Sequence, residues 1–293
     1  MTKPIVVGIG ELLWDMLPEG KRAGGAPINF VYNATQLGAD GYAISAVGKD
    51  ALGDEIIREL EKSHIHHILE RNNYPTSIVE VVLNNGIPTY TIVEGVAWDY
   101  MEATQKEIEV VKKADAVCFG TLALRSRQTR KAVLTLLKNA PQTAYKLFDV
   151  NLRSNYFSKE LINELLQEAN VFKINDEEMI KVQQLFGLNL PNEEVCQWFI
   201  KKYNLRYLIF TAGEKYSIVY SADGEKSYLD TPKVKVADTV GAGDSFSAGF
   251  IMGLLSGKSM RDAHKQAVAT AAFVCTQSGA WPEYEQSVKG EKQ

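Results

Sequence analysis

Apolar and polar positions along this chain fall into two alternating kinds of segment. Short apolar runs at 4–10, 42–47, 115–119, 145–150, 171–174 and 206–211 are bounded by turn residues, which predicts strands buried on both faces. Helical spacing of apolar residues appears at about 26–37, 54–63, 126–139, 158–168, 176–186 and 193–203, with Pro27 suited to a first helical turn. That alternation predicts an α/β fold, a mostly parallel sheet covered by helices on both faces. Two stretches depart from it. Residues 76–83 and 87–93 alternate in polarity around Asn84-Asn85-Gly86, a hairpin signal, and Leu13–Leu17 forms another short strand. An antiparallel flap of this kind is expected to fold over the mouth of a site or to pair with a second subunit. Residues 215–220 and 225–230 form a meander around Ala222-Asp223-Gly224. No repeat, low-complexity run or linker divides the chain, so residues 1–293 read as one domain with lid segments at about 12–20 and 76–99. Lys289 to Gln293 are expected to fray.

Composition narrows the partners. The 293 residues carry a formal net charge of −4 with no basic stripe, which excludes nucleic acid as a partner. No apolar stretch is long enough for a bilayer, and residues 1–10 are too mixed for a signal peptide, so no membrane partner is expected. Cys118, Cys196 and Cys275 are odd in number, far apart and set in apolar contexts, as reduced core thiols of a cytoplasmic protein would be. His64-Ile65-His66-His67 lacks acids or cysteines at ligand spacing and reads as a solvated loop or strand edge.

The most informative run is Asp238-Thr239-Val240-Gly241-Ala242-Gly243-Asp244-Ser245-Phe246-Ser247-Ala248-Gly249. Its small residues permit a sharp turn, and a helical pattern starts at once. Amides at a helix start lack intrahelical partners and carry the positive end of the helix dipole, which attracts an anion such as phosphate. Asp244 is a carboxylate set among those amides. It would repel a phosphate unless a base is needed beside the group in transit, a combination that points to phosphoryl transfer onto a hydroxyl.

Other turns supply the remaining parts. Gly24-Gly25-Ala26-Pro27-Ile28-Asn29 lets a ligand approach the backbone, with Asn29 able to donate and accept, and Asp15 could hold two hydroxyls of one ligand. Phe148-Asp149-Val150-Asn151-Leu152-Arg153 ends a strand in polar groups, where open α/β sheets collect ligands, and Arg153 offers a fixed cation. Asn175-Asp176-Glu177-Glu178 follows the next strand; these acids equally suit helix capping, while Glu178 could hold a hydrated Mg²⁺. Thr211-Ala212-Gly213 is a further turn suited to a nucleotide phosphate. Gly8-Ile9-Gly10-Glu11-Leu12-Leu13 begins like a dinucleotide fingerprint but has Leu13 at the third glycine, and no Walker loop occurs.

Taken together, Gly10-Glu11 with Asp15, Gly24 through Asn29, Gly48-Lys49-Asp50 with Gly53, Asp149 through Arg153, Asn175 with Glu178, and Asp238 through Asp244 resemble the ribokinase-like (PfkB) carbohydrate kinases, and among them bacterial fructokinases. The resemblance spans nearly the whole chain and implies a ribokinase-like three-layer fold with a small antiparallel β-lid. It implies that Asp244 is the catalytic base and that the amides around Ala242, Gly243 and Asp244, after Gly241 of the same catalytic turn, form the anion hole. By the same resemblance Asp15, Gly24, Gly25, Asn29 and Arg153 face the sugar. Asn175, Thr211 and Gly213 face ATP, together with Gly243, and Glu178 organises Mg²⁺ through water. Asp238, Val240, Val274 and Gly279 occupy the places of a monovalent cation site, with Glu283 nearby, and leave K⁺ open. The lid hairpin resembles one that often serves in homodimer formation. Val268 and Tyr216 depart from the family pattern near the nucleotide. Ala26-Pro27, the Asp149–Arg153 run and Gly279-Ala280-Trp281-Pro282 favour fructose as acceptor. A 2-keto-3-deoxygluconate kinase, a ribokinase and a non-catalytic sugar-binding regulator stay open.

Overall fold

The computed structural model describes the backbone of residues 2–17, 20–84 and 87–285, and the side chains of these except 80–90. The expected turn at Asn85-Gly86 and the tail Lys289 to Gln293 lie outside the described residues. The chain begins with β1 (Ile5–Ile9), β2 (Leu13–Leu17), β3 (Gly20–Gly24), α1 (Ala26–Gln36), β4 (Asp40–Gly48), α2 (Ala51–Lys62) and β5 (His66–Asn72). It continues through β6 (Ser77–Asn84), β7 (Ile87–Ile92), α3 (Gln105–Val111), β8 (Ala116–Phe119), α4 (Arg127–Asn139), β9 (Tyr145–Asp149) and α5 (Lys159–Glu168). The last third holds β10 (Val171–Asn175), α6 (Asp176–Phe186), α7 (Asn192–Tyr203), β11 (Tyr207–Thr211), β12 (Tyr216–Ser221), β13 (Lys226–Asp230), α8 (Ala242–Leu255) and α9 (Met260–Cys275).

One sheet has the order β13-β12-β11-β10-β9-β8-β1-β4-β5. All neighbours from β11 to β5 are parallel, and β12 and β13 add an antiparallel edge. The continuous apolar runs exist because these strands are covered twice. Val7 and Ile9 join the core beneath α3 to α7, whereas Val6 joins the one beneath α1, α2, α8 and α9. Phe119, Phe148 and Phe172 stack across three adjacent strands on the first face, with centroids 5.6 and 5.5 Å apart. The expected three-layer architecture is the one observed. On the antiparallel edge, His264 of α9 lies 2.8 Å from Ser217 Oγ and 2.9 Å from Ser227 Oγ, pinning the β12–β13 hairpin to its helix.

The second sheet, order β3-β2-β6-β7, is the lid. Its outer pairs are antiparallel, and β2 runs parallel to β6 because the chain crosses the main sheet between them. The lid extends to Gly24 and stops at Ile92, so its limits differ from the expected 12–20 and 76–99. Ala97 and Trp98 instead enter the main core, and the Arg125 guanidinium lies 4.1 Å over the Trp98 ring while pairing with Asp99 at 2.8 Å. Trp14 Nε1 of the lid donates to the Leu52 carbonyl at 3.0 Å, and Lys21 pairs with Glu55. The lid is thereby moored to α2.

Four elements escaped the pattern of apolar runs, the short helix α3 among them. β3 has the sequence Gly-Lys-Arg-Ala-Gly, and β5 is polar because it is the edge strand of the main sheet. α9 was not expected either, although it packs closely on α8. Cys118 and Cys196 are buried as expected, whereas Cys275, at the end of α9, is only half-buried. Among the described residues no helix is long and apolar enough to cross a membrane.

Candidate active site

α8 begins abruptly. Gly241 is its N-cap residue, with φ 77°, and no side chain caps the helix. A Cβ at Gly241 would stand 2.5 Å from Ala280 Cβ, so both the turn and its packing require glycine. The Ala242 amide donates to the Thr239 carbonyl at 3.2 Å. Gly243 and Asp244 follow within the first turn, where helix geometry leaves the amides without intrahelical acceptors.

The Asp244 side chain reaches across to α1. Its Oδ2 accepts a hydrogen bond from Asn29 Nδ2 at 2.8 Å, and Asn29 Oδ1 accepts one from Trp281 Nε1 at 2.8 Å. Because an indole N–H can only donate, Trp281 fixes which way the Asn29 amide faces. Burial, followed by the nearby negative charge of Asp149, pushes the Asp244 carboxyl up to about 6, against the opposing influence of Lys173, Asn29 and Arg153. The group is ionised at neutral pH yet poorly solvated, which suits a general base.

The sequence reading missed Lys173. It lies on β10, buried, with Nζ 2.6 Å from Asp149 Oδ2 and 3.1 Å from where a Cβ on Gly243 would stand. Burial alone would lower its basicity, but Asp149, Asp244 and Glu178 together hold the ammonium above its ordinary value. A lysine inside an apolar strand reads as an interruption of the pattern; only its register with Asp149 on β9 reveals a paired charge beside the start of α8.

Glu11 was quoted only for its resemblance. Its side chain is buried, Oε1 accepts from the Ala26 amide at 3.3 Å, and Oε2 has no partner among the described residues. Burial raises its carboxyl to about 7. Gly25 faces it with φ 120°, and a Cβ there would stand 2.1 Å from the Glu11 carbonyl oxygen. The paired glycines therefore bring α1's start against the end of β1.

Asp15 projects from β2 within 2.8 Å of a Cβ position on Gly24, and burial raises its carboxyl despite the attraction of Arg153 and Arg22. Arg153 is exposed at the rim, in a loop where Asn151 and Ser154 take positive φ, and its charge reaches Glu11, Asp15 and Asp244. Asp15, Gly24, Gly25, Asn29, Arg153 and Asp244 thus converge beneath the lid.

Asn175 and Glu178 cap α6. Asn175 Oδ1 accepts from the Glu178 amide at 2.8 Å, and Glu178 Oε2 accepts from the Asn175 amide at 2.9 Å. Glu178 Oε1 also accepts from the Leu152 amide at 3.0 Å, and burial raises its carboxyl. No group of three or more His, Cys, Asp or Glu side chains with metal-holding geometry occurs among the described residues. One carboxylate with spare lone pairs fits a magnesium ion that keeps its waters and binds substrate phosphates, not one held in a protein cage. Thr211 pairs in register with Asn175, and Gly213 follows at φ 53°, so the proposed nucleotide turn lies one strand further along the same edge. Tyr216 stacks on Tyr228 at 5.2 Å, and Val268 is half-buried on α9.

Asp238 and Gly279 do come together: the Gly279 amide donates to Asp238 Oδ2 at 3.0 Å and the Val240 amide to Oδ1 at 3.0 Å. Val274 is buried in the last turn of α9, its carbonyl accepting from Gln277 at 2.9 Å, and Glu283 is exposed. Asp238 also receives Arg22 Nη1 at 3.2 Å, a contact the sequence did not disclose.

A groove of about 860 Å³ lies elsewhere and is lined in part by His64, His66 and His67. His66 already pairs with Asp40 at 2.9 Å and His67 with Glu61 at 3.6 Å, in keeping with a solvated strand edge.

Comparison with known proteins agrees with this fold. Residues 19–286 match the pfkB family carbohydrate kinase domain. A sugar kinase from Pyrococcus horikoshii described as uncharacterized is 29% identical across 94% of this chain and 92% of its own. Its crystal structure aligns with a TM-score of 0.81 over 94% and 93% of the two chains, and its complex with ATP with 0.78 over 94% of each. An ATP-dependent 6-phosphofructokinase from Thermoanaerobacterium thermosaccharolyticum is 25% identical over 94% of this chain and 89% of its own. A fructokinase from Escherichia coli is 26% identical over 85% and 83% respectively. The matched domain covers most of the chain, and the chain belongs to the pfkB family of carbohydrate kinases.

Proposed function

We propose that this carbohydrate kinase transfers the γ-phosphoryl group of ATP to the 6-hydroxyl of D-fructose, with Asp244 as general base. The observation that carries the reading is the Asp244 carboxylate, half-buried at the third position of an uncapped helix, aimed by Asn29 and flanked by the Lys173 ammonium. Asp244 takes the hydroxyl proton as the sugar oxygen attacks phosphorus, and the β–γ bridging oxygen leaves with ADP. Charge on the transferred group meets the amides of Gly243 and Asp244 and the Lys173 ammonium, which need no reorganisation at the moment of reaction. Glu178 holds Mg²⁺ through water, and that ion neutralises phosphate charge. Asp15, the Gly24-Gly25 turn and Asn29 read the sugar hydroxyls. The lid keeps water from competing as acceptor.

Fructose is favoured by Ala26-Pro27, by the Asp149–Arg153 run and by the fructokinase relative. Arg153 favours a second reading, an acceptor already carrying a carboxylate or phosphate, because its guanidinium stands exposed beside Asp15. An ADP-release assay over fructose, fructose 6-phosphate, ribose, 2-keto-3-deoxygluconate and nucleosides, with the product located by phosphorus NMR, tests both. Fructose is expected to give the highest kcat/KM and a 6-phosphate product. A higher value on an anionic sugar selects the second reading, and sugar binding without ADP release refutes catalysis.

A further inference from the structure

The lid and the phosphate-binding turn share one ionic contact. Arg22 lies on β3, opposite Asp15 in the lid register. Its Nη1 donates to Asp238 Oδ2 at 3.2 Å and its Nη2 to Ser278 Oγ at 2.9 Å. The side chain also lies along the 278–279 backbone, with Cδ 3.3 Å and Nη1 3.4 Å from a Cβ position on Gly279. The remaining donors to Asp238 are the Val240 and Gly279 amides. Asp238 therefore clasps the turn that leads into α8 to the loop after α9, and Gly241 packs on Ala280 within the same clasp.

We propose that Arg22 is a positioning residue of the lid whose guanidinium supplies the positive charge this clasp requires, in the place a bound monovalent cation would otherwise fill. A planar guanidinium can bridge a carboxylate and a hydroxyl at once, which a hydrated point charge does less specifically. An isolated, part-exposed pair of this kind contributes little to stability. Its consequence here is coupling. The charge that shapes the turn carrying the Gly243 and Asp244 amides arrives on the strand that covers the sugar, so lid position and anion-hole shape change together. The functional half of this inference rests on the kinase reading above; the ionic half does not.

The test compares the wild-type protein with Arg22→Ala and Arg22→Lys in KCl and in tetramethylammonium chloride at equal ionic strength, by melting temperature and by kcat and KM. Wild type is expected to melt and turn over alike in both salts. Arg22→Ala is expected to lose kcat by about 5- to 30-fold, the factor that one or two kcal/mol makes, with KM for the sugar little changed. It is also expected to become responsive to K⁺ in melting temperature, and Arg22→Lys to recover part of the rate. A wild type stabilised or activated by K⁺ overturns the proposal, as does an Arg22→Ala protein with unaltered kcat or a melting temperature indifferent to K⁺. If no sugar is phosphorylated the kinase reading fails, and the melting comparison still decides where the charge comes from.

Discussion

Two helices start within reach of the Lys173 charge, α6 after β10 and α8 after the Asp238–Gly241 turn, and both carry an acid at the third position. In α6 that acid folds back on its own helix: Glu178 accepts from the Asn175 amide while Asn175 accepts from the Glu178 amide. In α8 the N-cap is a glycine without a side chain, and Asp244 reaches across to Asn29 on another helix. One start satisfies itself; the other leaves amides and a carboxylate unspent. On the proposed reading, the difference separates a helix that supports the site from one that takes part in the chemistry. It also explains why acids at a helix start are weak signals by themselves, since only the missing cap distinguishes them.

Replacing the α8 acid breaks the contrast most sharply. Asp244→Asn keeps the shape but removes the base, and kcat is expected to fall by about 10²–10⁴-fold, the usual worth of a positioned base. ATP binding, read by titration, should be largely retained. Stability should move the other way. The folded-state carboxyl sits at about 6 against an ordinary 3.8, so its contribution to stability is full below 3.8 and is lost as pH rises through 6. Each pKa unit is worth about 1.4 kcal/mol, so at pH 8 the asparagine variant is expected to be more stable by roughly 1–3 kcal/mol in urea unfolding. The two proteins should converge below pH 4. A variant that is both active and no more stable would remove Asp244 from its role.

Acid inactivation follows from the same shift. Because the ionised form is needed, kcat/KM is expected to drop about tenfold per pH unit below roughly pH 6 and to level above it. Glu11, raised to about 7 and electrostatically coupled to Asp244, makes the observed limb a property of the pair. A profile flat down to pH 5 would contradict the buried base.

Glycines sharpen the comparison at the level of stability. Gly241 starts α8 at φ 77° against Ala280, while Gly187 ends α6 at φ 67° with nothing within 4 Å of a Cβ position. Both substitutions to alanine incur left-handed strain, about 1 kcal/mol or somewhat more each. Only Gly241→Ala adds overpacking, for a total of about 2–4 kcal/mol. Equal losses in urea unfolding would mean that the Gly241–Ala280 approach does not constrain the α8 start.

Much of this architecture was legible because doubly covered strands must be apolar throughout, and because small residues before an apolar helix announce an uncapped start. What escaped did so for physical reasons. β5 is polar since it lies on the sheet edge, and β3 is a strand of Gly, Lys, Arg and Ala whose register only the lid provides. Lys173 was hidden because burial of a charge is unfavourable without a partner, and its partner Asp149 lies on a neighbouring strand, invisible to local pattern. Arg22 and Asp238 are separated by most of the chain, and no periodicity links them. Trp281 could have been suspected as an orienting donor only once Asn29 had been placed beside Asp244.

The smallest expected effect tests whether α6 merely caps itself. Asparagine and aspartate serve almost equally well as N-caps, so Asn175→Asp should leave unfolding free energy within about 0.5 kcal/mol of wild type, whereas Asn175→Ala should cost about 0.5–2 kcal/mol. The added carboxylate would stand beside Glu178, at the edge where the nucleotide phosphates are proposed to lie. If Asn175 faces those phosphates as well as its helix, the aspartate variant repels them, and KM for ATP rises severalfold while KM for the sugar does not. If KM for ATP is unchanged, α6 is a self-contained support, and the contrast between the two helix starts becomes complete, with phosphate contacts confined to α8, Lys173 and the turn after β11.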